Sequence, residues 1–340
     1  MPWNKLCCAA VALLWVPSLG AQKSDTVVLR NGDRITGEIK SLQRNTLSYS
    51  TDDMGTLSVE WDKVVRLTSR RHFEVEVISG RRYYGVLAPA LEPEYLVVET
   101  TGFTDTLPRV FVVRLHPLGA SFVSRIDGHI DVGFTFQRAN EIVQLSIAAA
   151  AEHRTQRWRN HLELSTYFQD QADVDGLSRN SASFATQRLY SSRWSGLGSA
   201  SLEQNEELEL ELRTSVAGGV GRYLVQNNYT MLLVAAGLTY THESFAATEQ
   251  SNNLEGVLTG QFDYFRRDSP KSDVRVTLTG YPSLSNFGRV RVNFDARASH
   301  ELVKDFTIAL TFFDTFDSRP PSTTAAKNDF GGTLSLGWTF

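Results

Sequence analysis

The chain has two cysteines among 340 residues, Cys7 and Cys8, and both stand at the extreme N-terminus. Beyond them no disulfide, thiolate metal site or cysteine nucleophile can form. Positive charge is not in excess: 34 Lys and Arg against 38 Asp and Glu give a formal net charge of −4, and the pI is near 6.0. That balance argues against a nucleic-acid partner, whose binders are usually basic. After the N-terminus no run reaches about 18 apolar residues, so no transmembrane helix is expected. There is no His-Glu-x-x-His pattern and no glycine-rich phosphate loop opening a helix, and hence no expected metal or cofactor. The small-residue run Ala217-Gly218-Gly219-Val220-Gly221 reads instead as strand residues that permit curvature.

What is present begins with a secretory signal. Lys5 is a short charged region, Leu6 to Val16 is an apolar region, and Ser18-Leu19-Gly20 is a small-x-small cleavage site. Cleavage after Gly20 or after Ala21 fits equally, so residues 1–21 are assigned to the signal. No cysteine stands at the cut, which argues against a lipid anchor. An exported chain without cysteine suits an oxidising compartment.

The next third is a duplication. Residues 26–39, TVVLRNGDRITGEI, align without gaps to 74–87, EVEVISGRRYYGVL. Gly32 matches Gly80, Gly37 matches Gly85, and Ile39 matches Leu87. The string VVRL at 64–67 returns at 112–115 with the same offset, a period of about 48 residues. Each copy, 25–70 and 73–117, reads as strand, glycine turn, strand, loop, strand, turn, strand. Asn31-Gly32 and Ser79-Gly80 are tight-hairpin signals. The pattern resembles small bent β-barrels of the SH3 or Sm-like type. It implies a periplasmic binding or docking module with a protein partner, or a rigid spacer. A linker over 118–126 follows.

From residue 127 to 340 the chain alternates apolar and polar residues with period two, the mark of two-faced strands. Val290, Val292, Phe294, Ala296 and Ala298 interleave with Arg289, Arg291, Asn293, Asp295 and Arg297. Strands are predicted near 128–137, 141–153, 157–169, 180–192, 194–204 and 208–224. Six more fall near 229–243, 254–266, 273–281, 288–299, 306–316 and 327–340. Many are longer than the usual 5–6 residues of globular sheets.

Alternation does not say which face is inside. A secreted soluble β protein hides the apolar row, whereas an outer-membrane barrel turns it to lipid and faces its charges into a lumen. The strand number is even. Aromatics gather near strand ends at Trp158, Phe168, Trp194, Tyr223, Tyr240, Tyr264, Tyr281, Trp338 and Phe340, as interfacial girdles require. Connections alternate between a short set (152–157, 225–229, 267–273, 300–305) and a longer one (170–179, 244–253, 282–287, 317–326). These features predict an antiparallel transmembrane barrel of about 12 strands with its N-terminal modules in the periplasm of a Gram-negative cell. Its last strand would pair with its first.

The segments HIDVGFTFQRANE (129–141), RWRNHLELS (157–165), YPSLSNFGRVRV (281–292) and FDSRPP (316–321) carry a family resemblance. They resemble the outer-membrane family labelled salt-induced outer membrane proteins, a domain of unknown function. Asp317-Ser318-Arg319-Pro320-Pro321 is its most specific piece. The resemblance implies an integral outer-membrane barrel with that segment in an external loop, and no established reaction. The first turn, Arg138-Ala139-Asn140-Glu141, departs from the family in lacking glycine.

Catalytic chemistry has one candidate. His242 and Ser244 stand two apart on one strand and share its apolar face, within reach of a base and nucleophile pair. The arrangement looks like outer-membrane phospholipase A, in which an Asn orients the His, although the Asn-Gly that should follow the Ser is absent. Asn252 and Asn253 are loosely placed orienters. The alternative is a polar cluster at a loop boundary. His129, His161 and His300 are isolated. The polar row holds Arg159, His161, Glu163, Glu209, Glu211, Arg213, Glu255, Asp263, Arg275, Arg289, Arg291, Asp295 and Arg297. Both signs are represented, so the lumen is either closed by salt bridges across it or forms a small-solute pore. Trp338 and Phe340, ending the last strand, look like the signal read by the barrel-assembly machinery. The expected role is non-enzymatic, in envelope structure, solute passage or binding, with outer-membrane lipid as the surrounding partner.

Overall fold

The computed structural model describes residues 23–119, 121–138, 142–171, 174–190, 192–206, 210–245, 250–319 and 327–339. The predicted signal segment, Glu209, Pro320, Pro321 and Phe340 lie outside them. The described chain is all-β, with two antiparallel sheets of nine and twelve strands. No described helix is long and apolar enough to cross a membrane.

The first sheet contains β1 (Asp25–Leu29), β2 (Arg34–Gln43), β3 (Thr46–Ser50), β4 (Thr56–Glu60), β5 (Val64–Val77), β6 (Arg82–Ala88), β7 (Tyr95–Thr100), β8 (Phe103–Pro108) and β9 (Val112–Pro117). Single 3-10 turns, Trp61–Lys63 and Arg109–Phe111, precede β5 and β9. β1 pairs with β2 and with the first half of β5, while the second half of β5 pairs with β6 and β9. Each copy thus joins its first strand to both its second and its last. β5 runs unbroken across residues 71–72, so it is the last strand of one copy and the first of the next.

The duplication extends to single hydrogen bonds. Leu29 N donates to Asp33 O at 2.9 Å and Gly32 N to Leu29 O at 3.0 Å; Val77 N donates to Arg81 O at 3.1 Å and Gly80 N to Val77 O at 2.8 Å. Trp61 N reaches Asn45 O at 2.9 Å, and its counterpart Arg109 N reaches Glu94 O at 2.8 Å. Gly32 and Gly80 have φ of 91° and 80°, a region where a side chain is strained. Val27, Ile39, Leu47 and Leu67 of the first copy meet Val75, Leu87, Leu96 and Leu115 of the second in one buried cluster. The two 3-10 turns clasp each other: Trp61 Nε1 donates to Arg109 O at 3.1 Å, and the Arg109 guanidinium donates to Trp61 O while lying 5.4 Å from the Trp61 ring centroid.

The second sheet is a meander in which every strand pairs with its neighbours in sequence. Its members are β10 (Ile126–Gln137), β11 (Ile142–Arg154), β12 (Trp158–Gln171), β13 (Val174–Leu189), β14 (Trp194–Asn205) and β15 (Leu210–Gln226). They are followed by β16 (Thr230–Phe245), β17 (Ser251–Arg266), β18 (Ser272–Pro282), β19 (Val290–Val303), β20 (Phe306–Asp317) and β21 (Asn328–Trp338). All twelve predicted strands are found, β13 starting earlier than expected. The expected pairing of the last strand with the first is not there: among the described residues β10 and β21 share no ladder. Each is bonded on one side only, and every residue of β10 is exposed.

Apolar burial divides the molecule. Among the described residues, the buried hydrophobic side chains that belong to the second sheet are Leu210 and Phe265. Its apolar row instead faces outward, with Leu238 53% and Leu258 58% exposed.

Candidate functional site at the short-turn end of the sheet

The N-terminal module sits on the end of the second sheet that carries the short connections. Successive hairpins each meet it. Arg154 Nη2 donates to Glu74 Oε1 at 3.0 Å, and Tyr84 Oη donates to Gln156 O at 3.0 Å. Arg82 Nη1 reaches Tyr190 O at 2.8 Å, and Arg193 Nε reaches Ile78 O at 2.9 Å. Asn228 Nδ2 donates to Val110 O at 2.9 Å. Arg44 Nη1 binds Asp263 at 2.6 Å and its Nη2 binds Asp273 at 2.8 Å, with its guanidinium 4.8 Å from the ring centroid of the buried Phe265.

Charge is buried at the centre of this contact. Glu74 pairs with Arg82 at 3.2 Å and with Arg154 at 3.0 Å. Glu76 pairs with Arg82 at 3.2 Å and with Arg114 at 3.4 Å, and Arg114 Nη2 donates to Tyr223 Oη at 3.2 Å. Both glutamates are almost wholly buried. Removing one member of such a set leaves an uncompensated charge, which costs several kcal/mol. Val75 and Val77 alternate with these glutamates, so the stretch reads as one core face and one solvent face. The second face is covered by the other sheet.

The register places Arg159, Glu163, Arg213, Glu255, Asp263, Arg275, Arg291, Asp295 and Arg297 on one face. They do not pair across a lumen. Arg213 bonds its in-register neighbours Glu203 at 2.9 Å and Glu243 at 2.7 Å. Arg275 meets Asp263 at 2.6 Å, Arg291 meets Glu255 at 2.5 Å, Arg159 lies 3.4 Å from Glu152, and Glu163 meets His161 at 2.8 Å. Adjacent strands hold side chains close on the same face, so these arginines find partners along the wall, Arg291 reaching over β18 to Glu255 on β17, before they can reach the opposite wall. Asp295 and Arg297 make no ion pair among the described residues; Arg297 stands in register with Arg275. Glu211 leaves the row, because a bulge between Leu210 and Leu212 turns it to accept from Ser244.

His242 and Ser244 are not brought together. His242 Nδ1 lies 2.8 Å from Asn252 Oδ1, its register partner on β17, whereas Ser244 Oγ donates to Glu211 at 3.1 Å. The orienting Asn exists, but the hydroxyl is committed to a carboxylate. His129 lies 3.6 Å from Asp131, and His300 Nδ1 lies 2.9 Å from Ser272 Oγ. At the other end of the sheet Arg289 clamps Asp317 at 2.5 Å, Val290 N donates to Ser318 Oγ at 2.8 Å, and Arg319 Nη1 donates to Phe287 O at 3.0 Å.

Two of the expected girdle aromatics face elsewhere. A register shift between Tyr223 and Val225 accompanies the turning of Tyr223 to Arg114 of the module, and Tyr281 shares the polar face with Arg291. Trp158, Trp194 and Trp338 are exposed at the short-turn end. Arg188 covers Trp158 at 5.5 Å, and Arg222 covers Trp194 at 5.2 Å.

Residues 130–340 match a family described as a protein of unknown function, DUF481. No curated protein and no solved structure gives a match.

Proposed function

The chain belongs to the DUF481 family, and from that premise we propose that it is a non-enzymatic outer-membrane β-barrel protein whose duplicated module caps the periplasmic mouth. The observation that carries this reading is the outward apolar row of the second sheet. Its members, among them Val216, Leu238, Leu258, Leu278 and Leu310, are each about half exposed and recur from strand to strand, whereas soluble monomers rarely expose broad contiguous apolar patches. Lipid is the solvent that such a face suits. Exposed aromatics flank it on both sides, Trp158, Trp194 and Trp338 at the short-turn end and Phe136, Phe168, Tyr240 and Phe330 at the other.

Short turns belong to the periplasmic side of such a barrel and long loops to the outside. The module, joined at the short-turn end, then lies in the periplasm, in keeping with the secretory signal expected at residues 1–21. Closure of β10 on β21 belongs to the membrane-bound state, because hydrocarbon leaves no water for an open edge. The family resemblance to salt-induced outer membrane proteins agrees with this placement. Because the mouth is covered, envelope structure and binding suit the protein better than free solute passage. The module's nearest protein partner is its own sheet.

The test is gel mobility of the membrane fraction with and without boiling. A compact, faster-running unboiled form is expected. Recovery of the mature chain in the soluble fraction, with no mobility shift, contradicts the reading.

A further inference from the structure

Between the module, the 118–126 linker and the near ends of β11 and β12 lies a cavity of about 800 Å³, a volume suited to a small ligand. Five Lys or Arg side chains and three carboxylates line it, although the whole chain carries a net charge of −4. Arg154 is 6% exposed, and although its Nη2 holds Glu74, its Nε has no hydrogen-bond partner. Arg159 Nε is likewise buried and makes no hydrogen bond, its nearest partner being Glu152 in an ion pair at 3.4 Å. Arg125 uses its Nε on Gly119 O at 2.7 Å and its terminal nitrogens on no described residue. Burial together with Arg154 and Arg159 pushes the pKa of His116, also in this wall, down to about 3.

Buried donors without acceptors call for an explanation. Here Lys40 and Arg71 are held by Glu38 and Asp25, whereas Arg154 Nε and the terminal nitrogens of Arg125 bring donors to the same cavity wall. An anion with several oxygens supplies the missing acceptors and a counter-charge for Arg125, and arginine is the side chain best shaped to hold a phosphate. A second cavity of about 720 Å³ adjoins the first through His72, Leu118, Gly119 and Arg125, and ends at Trp158 on the apolar rim. The chamber therefore opens along the linker toward the apolar edge of the sheet.

We infer that this chamber binds a phosphate-bearing anion, delivered either as a phospholipid headgroup from the adjoining leaflet or as free phosphate. The lipid route rests on the membrane reading above; the phosphate route does not.

The test is titration calorimetry on the full mature chain in an uncharged detergent, using dihexanoyl phosphatidylglycerol in one arm and inorganic phosphate in the other. Saturable binding in at least one arm is expected, weakened about tenfold or more by Arg125→Gln combined with Arg159→Gln. Arg179→Gln, which alters a charge beside Glu203 away from the cavity, should bind as the wild type does. The paired Lys variants Arg125→Lys and Arg159→Lys should recover most of the affinity, which separates loss of charge from loss of fold. Saturation by the lipid alone assigns the headgroup; saturation by phosphate alone or by both assigns the phosphate itself. No saturable binding in either arm, or equal binding by the double Gln variant, overturns the inference, whatever the mobility gel reports about the barrel.

Discussion

Val75 and Leu258 occupy the same kind of position, an apolar residue in a long strand that alternates with polar neighbours. Val75 is 0% exposed and Leu258 is 58% exposed. One local pattern has two destinations, and what differs is the layer beyond. In the module, duplication supplies a second apolar face, and the two copies bury their rows against each other through shared β5. Among the described residues the twelve-strand sheet has no second layer, and its polar row turns to a face where arginines and carboxylates bond along the wall. The comparison teaches that period two specifies a two-faced strand, while the medium each face meets is decided by the number of strands and by what packs against them.

The sharpest way to break this comparison is to make the same kind of truncation in both regions. Phe73→Ala opens the module's core, where Phe73 is wholly buried, and should cost about 3–5 kcal/mol. Leu258→Ala should cost under about 1 kcal/mol, as a surface position does. Denaturant unfolding of the module and heat-modified mobility of the sheet measure the two; comparable losses would erase the distinction.

A charge tests the sheet's two faces against each other. Leu258→Arg places a guanidinium on the proposed lipid side near mid-strand and should cost about 2–4 kcal/mol, seen as reduced membrane yield. Thr259→Arg, one residue on and facing the polar row, should assemble nearly as well as wild type. Equal yields would mean that both faces are wet.

The two copies can be compared in the same way. Gly32 and Gly80 are equivalent turn glycines with positive φ, so Gly32→Ala should cost about 1–2 kcal/mol in backbone strain. At Gly80 an added Cβ would also lie 2.5 Å from Arg193 N, whereas at Gly32 it meets nothing. Gly80→Ala should therefore loosen docking as well, measured as faster protease cleavage within 118–126. Identical cleavage of the two variants would contradict the observed contact.

A further contrast is in pH, and near neutral pH it is silent. His116 falls from its ordinary 6.5 to about 3, through burial and then the charges of Arg154 and Arg159. A depressed histidine means that the unfolded chain takes up the proton first. Stability is therefore full above pH 6.5 and declines as pH falls toward about 3. His116→Gln should flatten that part of the curve of thermal midpoint against pH; an unchanged slope would assign the acid sensitivity elsewhere.

Much of the architecture was legible in the sequence, because both of its main signals are local or periodic. Alternation located all twelve strands, and the offset between Gly32 and Gly80 revealed the duplication. The docked interface was not legible. Arg44 and Asp263 stand 219 positions apart, and Glu74 and Glu76 look like solvent-facing members of an alternating strand. Parity placed His242 and Ser244 on one face correctly, yet the bulge at Leu210–Leu212 sends Ser244 to Glu211. Most of the polar row shares one face, with Glu211 turned out of it, and its ion pairs run along the wall rather than across a lumen.

The most direct test is a spin-label scan of residues 234–240 in β16, using single cysteine variants of the mature chain in lipid bilayers. Labels at Val234, Ala236, Leu238 and Tyr240 should be open to oxygen and shielded from a water-soluble nickel chelate, with the intervening positions showing the reverse. Free access of the chelate to the even positions would contradict a sheet whose apolar face meets lipid.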